Sequence, residues 1–379
     1  MKLKPTFVGF ITATSPPDHR EGQDEHTELK PERHPMSRPR KGVYKMNFLR
    51  KTVSVSVLLI LASALALAAS DRLPSWNEGA SKKAIIEFVK AVTTKGSPYY
   101  VEPAERIATF DNDGTLMAEQ PIYFQFLFEA VKFKDLGFDI KDNQSVKKAI
   151  DYLLASDPFG DLLVDPATGT SKTEEEFMAE VDSFLSNMMH PRFNRPFIDL
   201  VYQPMIELID YLKLSGFKVY IVTATHSEFI RLWSEKAFGI QPEMVVGSSV
   251  KVKYELKNGK GILSYGKDVN FICNGPDKPA GINYSIGKRP IAAFGNSDGD
   301  IQMIEYATTG KGLRLGLLVH HTDAAREWAY DNPSDIGQLK DGLSEAAMRG
   351  WVVVDMKKDW KVIYPFEKKA RAKKGHKTM

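Results

Sequence analysis

The chain holds one cysteine, Cys273, in 379 residues, so no disulfide can form within it and its stability must come from packing. Cys273 closes the apolar run "VNFIC" and reads as a buried structural thiol rather than a nucleophile. A net charge of only +3 leaves little to attract a polyanion. What positive charge there is sits at the ends, with residues 1–51 and 367–379 at +5 each and the rest at −7. The body has no interleaving of basic and aromatic residues, so no nucleic-acid partner is expected. The basic tail "EKKARAKKGHK" reads as a solvated end.

Long apolar runs are also scarce. The notable one, Val53 to Ala69, follows Met46, Arg50 and Lys51 and ends in Ala66-Leu67-Ala68. Charged, apolar and small-residue segments in that order make a secretory signal peptide. The segment is short for a membrane span, though an uncleaved inner-membrane anchor is the rival. No cysteine follows the run, which argues against a lipoprotein anchor. Residues 1–45 are polar, rich in proline and charge and without periodicity, as in a disordered extension or a mis-assigned start upstream of Met46. A periplasmic or secreted protein, with no stable membrane anchor after cleavage, is expected.

Beyond residue 70 the chain alternates. "SKKAIIEFVKAVTT" and "YQPMIELIDYLKLSGF" carry helical periodicity, the second stopped by Gly216. "RIATF", "KVYIVTAT", "IAAF" and "LRLGLLVH" read as strands. "SEFIRLWSEKAFGI" reads as one helix capped by Ser227, and "VKVKYELKNGKGILSY" as a hairpin turning at Asn258-Gly259. Residues 119–200 are helical in pattern with no strand-like run. Alternating strands and helices imply an α/β fold, a three-layer sandwich around a parallel Rossmann-like sheet.

In such sheets ligands bind beyond the carboxyl ends of the strands. Three polar clusters fall there: Asp111-Asn112-Asp113-Gly114 after "IATF", Thr223 in "VYIVT", and "GNSDGD" after "IAAF". Two aspartates so close repel and must leave water together, so a cation has to offset them. Asp111 is placed to attack phosphorus as a nucleophile, and Asp113 to protonate the leaving oxygen and then activate water. Asn112, Gly114 and neighbouring amides can cradle phosphate oxygens, with Thr223 adding a hydroxyl. Lys278 in "GPDKPAG" offers a positive charge, with Lys288 as its rival. Asp111, the carbonyl of Asp113, Asn296 and Asp300 supply oxygens for Mg²⁺; Asp298 competes for a place in that set.

Together "FDNDGTL", "VYIVT", Lys278 and "GNSDGD" resemble the four motifs of the haloacid dehalogenase-like superfamily, and specifically its phosphoserine-phosphatase-like branch. The resemblance spans roughly residues 75–365. It implies a core of 70–116 and 201–379, a helical cap inserted over 117–200, and a Mg²⁺-dependent phosphatase acting on a small phosphorylated substrate. It departs from the pattern at Asn296, where an aspartate is usual, and Thr225 competes with Thr223. The resemblance also suggests Glu119 as a carboxylate that reads an amino group on the substrate. A phosphotransferase with the same residues, or a non-catalytic binding protein, is the alternative. His190 and the adjacent His320 and His321 stand outside the motifs; on a strand the last two face opposite sides, one exposed and one packed.

Overall fold

The computed structural model describes residues 71–131, 138–155 and 171–368. The leader-like segment, the extension before it and the basic tail from residue 369 lie outside these. Among the described residues no helix is long and apolar enough to cross a membrane.

Chain order runs α1 (Ala80–Thr93), β1 (Ile107–Phe110), α2 (Phe124–Ala130), α3 (Asn143–Ala155), α4 (Glu174–Asn187), α5 (Gln203–Leu214) and β2 (Lys218–His226). Then come α6 (Ser227–Arg231), α7 (Ser234–Phe238), β3 (Val245–Lys257), β4 (Lys260–Phe271), α8 (Asp277–Ser285), β5 (Ala292–Gly295) and α9 (Ile301–Thr308). The chain closes with β6 (Leu315–Thr322), β7 (Ala329–Tyr330), α10 (Asp341–Arg349), β8 (Val352–Asp355) and α11 (Met356–Asp359).

One sheet holds all eight strands, in the order β4-β3-β2-β1-β5-β6-β7, with β8 also paired to β6. From β3 to β6, and on to β8, the pairing is parallel; β4 and β7 are antiparallel additions. The middle strands β1 and β5 are buried along their whole length, so they read as unbroken apolar runs rather than alternating ones. Successive residues feed opposite cores. Ile221 and Phe294 pack with α1 and α5 on one face, whereas Val222 and Ala293 pack with Ile282 of α8 and Met303 of α9 on the other. That is the three-layer α/β sandwich. Phe110 and Phe294, on neighbouring strands, stack at 4.2 Å beneath the site.

The hairpin turns at Asn258-Gly259, where φ of +52° and +77° gives the turn whose twist suits a two-residue connection. Its β4 edge reaches the cap: the Tyr265 amide donates to the Lys172 carbonyl, and Phe177 packs edge-on to the Tyr265 ring. The expected single helix after β2 is instead two short ones. β2 stays paired with β3 as far as His226 opposite Ser248, so His226, not Ser227, caps α6. Its Nδ1 accepts the Glu228 amide at 3.3 Å, while the Ser227 hydroxyl donates to the Ser248 carbonyl at 3.1 Å.

Helices α2, α3 and α4 form the cap, inserted between β1 and α5. A capping box starts α4: the Thr173 hydroxyl accepts the Glu176 amide, and the Glu176 carboxylate accepts the Thr173 amide. The cap joins the core through aromatics. The Phe124 ring stacks on Phe197 at 4.9 Å and meets Phe229 and Trp233 edge-on at 5.5 and 6.1 Å. Where the chain leaves the cap, His190 is buried. Its Nε2 donates to the Gln120 carbonyl at 2.9 Å, and its Nδ1 accepts the Arg192 amide at 3.1 Å, which defines a neutral ring. Burial pushes its pKa down to about 4. His190 therefore pins the chain leaving the cap to the chain entering it.

Phe124→Ala is expected to cost about 3–5 kcal/mol of stability, the range for removing a buried ring. A urea unfolding midpoint equal to that of the wild type would show that the cap does not rest on this ring. His190 carries a pH signature. Between about pH 6.5 and 4 the unfolded chain binds a proton that the folded chain refuses, so stability is full above 6.5 and falls as pH drops through this window. The loss approaches about 3 kcal/mol at the acid end, and His190→Gln should flatten the profile there.

Candidate active site

Register brings the sequence clusters together. Phe110 of β1 lies level with Ile221 of β2 and Phe294 of β5, so the residues just after them meet at one edge. The Asp111 amide donates to the Phe294 carbonyl at 2.9 Å. Lys278, the second residue of α8, extends its Nζ beneath this edge. It donates to Asp111 Oδ1 at 2.6 Å, Asp300 Oδ1 at 2.6 Å and the Val222 carbonyl at 3.0 Å. An ammonium has three hydrogens, and all three are taken by the protein. Lys278 therefore acts on a ligand through its charge, with no N–H left to offer. Lys288 goes elsewhere, to Glu105 and the Ala104 carbonyl on the exposed surface.

Burial, and then repulsion from Asp300, push the Asp111 carboxyl up to about 7 against the pull of Lys278. Burial lowers the Lys278 pKa, but the two carboxylates outweigh it and keep the ammonium charged. Cys273 packs behind this group, where burial pushes its thiol up to about 12; it is no nucleophile.

The loop after β1 is wound on the Asn112 carbonyl, which accepts the amides of Thr115, Leu116 and Met117. The Asn112 side chain is fully buried. Gly114 has φ of +75°, and a Cβ there would overlap the Asn296 amide and the Glu119 carboxylate. Only glycine satisfies both demands. Asp113 Oδ2 accepts the Thr225 hydroxyl at 2.8 Å, while Thr223 Oγ1 accepts the Thr225 amide at 3.1 Å. The two threonines thus divide the work: Thr225 orients Asp113, and Thr223 faces the cavity. Burial raises the Asp113 pKa against that hydrogen bond.

The "GNSDGD" segment splits in an instructive way. Asp300 Oδ2 accepts the amides of Asn296 and Ser297 at 3.0 Å each, and Oδ1 takes Lys278. Expected as a metal ligand, Asp300 has both oxygens engaged by these donors. Asp298 turns away and accepts the amides of Lys340 and Gly342 at the start of α10. Asn296 points into the site. Its Nδ2 donates to Glu119 Oε1 at 2.9 Å, and its Oδ1 accepts the Thr115 hydroxyl at 3.0 Å. A carboxylate on one side and a hydroxyl on the other set which way the amide faces.

Glu119 is 2% exposed, and the same Oε1 also accepts the Tyr330 hydroxyl at 2.6 Å. Burial pushes its pKa up to about 8, against His321 and the Tyr330 hydrogen bond. The carboxylate borders the cavity, but one oxygen already belongs to Asn296 and Tyr330. His321 lies on the buried side of β6. Its Nε2 faces the Gly114 carbonyl at 2.8 Å, and its Nδ1 faces Glu327 Oε2 at 3.1 Å. Two acceptors suit an imidazolium, and Glu327 raises the His321 pKa despite burial. His320, on the other side, pairs with Asp331 near the surface. Tyr330 and Glu327 carried no spacing signal in the sequence, and Thr115 was not singled out within "FDNDGTL". Thr115 could have been found from its place after Gly114; the other two lie far along the chain and arrive only by folding.

Among the described residues no three His, Cys, Asp or Glu side chains group to hold a metal. Mg²⁺ needs fewer, because it keeps waters and uses one or two carboxylates with substrate phosphate. The Thr115 hydroxyl lies 3.4 Å from Asp111 Oδ2 and 3.0 Å from Asn296 Oδ1, so these two hard oxygens converge. With the Asp113 carbonyl they make a donor set that fits Mg²⁺. A cavity of about 360 Å³ opens beside them, lined by Asp111, Asp113 and Lys278.

A family model described as haloacid dehalogenase-like hydrolase matches residues 108–305. No curated protein matches the chain. Solved structures similar to it include a conserved functionally unknown protein from Anaerococcus prevotii DSM 20548, at 15% identity and a TM-score of 0.44, covering 72% of this chain and 91% of that one. A protein with unknown function from Bordetella pertussis Tohama I is 18% identical at a TM-score of 0.42, covering 66% and 99%. A phosphoserine phosphohydrolase-like protein from Francisella tularensis subsp. tularensis SCHU S4 is 20% identical at 0.34, covering 56% and 87%.

Gly114→Ala tests the loop. The left-handed φ alone should cost about 1–2 kcal/mol, and the new methyl should displace the Asn296 amide. Denaturant unfolding and Mg²⁺ titration by calorimetry would check both; wild-type values in each would refute the close approach.

Proposed function

The chain belongs to the haloacid dehalogenase-like hydrolase family, and we propose that it is a Mg²⁺-dependent phosphomonoesterase working through an aspartyl-phosphate on Asp111. One observation carries this reading: a buried carboxylate at the end of the central strand, 2.6 Å from a fixed ammonium, with a second carboxyl two residues on, held by Thr225. The four motifs, with Lys278 lying 18 residues before Asn296, support the phosphoserine-phosphatase-like branch. The order of segments in residues 46–69 supports export to the periplasm or beyond, without a lasting anchor.

The steps follow from the groups present. An Asp111 oxygen attacks phosphorus while the bond from phosphorus to the ester oxygen breaks. Asp113 gives its proton to the departing oxygen; burial, by raising its pKa, keeps that proton available. The Asp113 carboxylate then takes a proton from water as the water attacks the phosphoryl group, which frees Asp111 and inorganic phosphate. Lys278 holds Asp111 in line and offsets charge throughout. Mg²⁺, held by Asp111, the Asp113 carbonyl and Asn296, would neutralise phosphate charge as a Lewis acid. A dehalogenase has no use for an acid at Asp113, so that carboxyl and its Thr225 partner favour phosphate chemistry.

Phosphate release from 4-nitrophenyl phosphate should require Mg²⁺, stop with EDTA and vanish in Asp111→Asn. Asp113→Asn should lower kcat/KM, which reports the first transfer, by about 10²–10⁴-fold on alkyl phosphates, and by less on the nitrophenyl ester, whose leaving group needs little protonation. A folded wild type inert on every monoester, yet binding phosphate, would replace this reading with a binding protein.

A further inference from the structure

The cavity over Asp111 has two unlike ends. The inner end carries Asp111, Asp113, Glu119 and Lys278. The outer end is walled by Phe126 of α2, Leu153 and Leu154 of α3, and Ile272 just after β4. Leu154 and Ile272 are 60% and 44% exposed, so the cavity keeps apolar side chains partly in water. Gln125, a polar neighbour, is already committed: its Nε2 donates to Glu129 and its Oε1 accepts the His226 amide. Exposed apolar residues grouped at a cavity mouth mark a surface that gains by being covered.

Charge points the same way. Among the described residues that line the cavity, Lys278 is the single cation, and its three hydrogens are all used within the protein. Three carboxyl groups, those of Asp111, Asp113 and Glu119, line the cavity with it. A ligand's phosphate can share the charge of Lys278 and a bound Mg²⁺, but a second anionic group would find no further cation among the described residues of the cavity; Tyr123, Thr223, Thr225, Asn274 and Ser297, which also line it, are uncharged. Such a group would lose its hydration without a charged partner.

We propose that the substrate is a phosphate monoester of a neutral, largely apolar alcohol or phenol, whose carbon skeleton packs against Phe126, Leu153, Leu154 and Ile272. Esters that bear a carboxylate or a second phosphate are excluded, phosphoserine among them. This rests on the phosphatase reading and names the substrate class of that same site.

The test compares kcat/KM of the full chain with Mg²⁺ on butyl phosphate, glycerol 2-phosphate, O-phospho-L-serine, phosphoethanolamine and fructose 1,6-bisphosphate. All five release alkoxide-type leaving groups, so intrinsic reactivity does not decide the ranking. Butyl phosphate is expected to exceed phosphoserine and the bisphosphate by at least about 10-fold, the discrimination that a few methylenes give in an apolar pocket. Leu154→Arg, at an exposed helical position that should not disturb folding, is expected to cut that ratio by about 10-fold, through a higher KM for butyl phosphate and a lower one for phosphoserine. Phosphoserine or the bisphosphate as the best substrate, or an unchanged ratio in Leu154→Arg, would overturn the assignment while leaving the phosphatase reading intact. Phosphoethanolamine as the best substrate would overturn it too, by showing that Glu119 reads an ammonium group. Turnover of none of the esters would bring down both readings.

Discussion

A single buried ammonium, that of Lys278, lies between the carboxylates of Asp111 and Asp300, 2.6 Å from each. Much of the site hangs from this contact. Two buried carboxylates with no cation between them would repel and take up protons, and an ammonium alone in that place would have to shed its charge. Together they tie three segments that are far apart in the chain: the end of β1, the start of α8 and the loop after β5. Removing one member of such a buried group typically costs about 3–5 kcal/mol, because the others stay behind uncompensated. The same contact aims the Asp111 carboxylate and keeps the loop that carries Asn296 folded beneath it.

A second set of contacts adapts the site to an amide in place of a carboxylate. Asn296 brings less charge than an aspartate would, and its orientation has to be imposed. Glu119 and Thr115 impose it from opposite sides. Tyr330, His321 and Glu327 support Glu119 and the Gly114 turn from β6 and β7, so the back of the site is a continuous polar network. Gly114 is where this network and the phosphate-facing loop come too close for any side chain. Such connected networks hold each member in one orientation, because a rotated member would strand its neighbours' donors.

The cap contributes a different kind of surface. Its helices close on the core through stacked aromatic rings around Phe124, and they present leucine and phenylalanine to the cavity. The α/β core therefore supplies charge and chemistry, and the cap supplies apolar shape. That division lets the reacting group be handled in the same way whatever the rest of the ligand looks like.

Much was legible before any coordinates. Unbroken apolar runs marked the central strands because both faces of a parallel sheet are covered, and the polar residues just beyond them marked the ligand edge. Asp111, Asp113, Thr223 and Asn296 were singled out that way, since strand-end chemistry is local. Other features were not local. The three contacts of Lys278 and the turning away of Asp298 depend on where a helix docks. So do the contacts of Asp300, the grip of Thr225 on Asp113 and the role of Glu119 behind Asn296. Each is settled by a partner 22 to 211 residues distant. The start of the helix after β2 has the same origin, because β3 holds His226 in the sheet. By itself the sequence determined the strand-helix alternation and the chemical types gathered at one edge, since both follow from short-range periodicity. Only the tertiary structure decided which oxygen faces which donor, because a buried polar group takes its orientation from whatever folding packs against it.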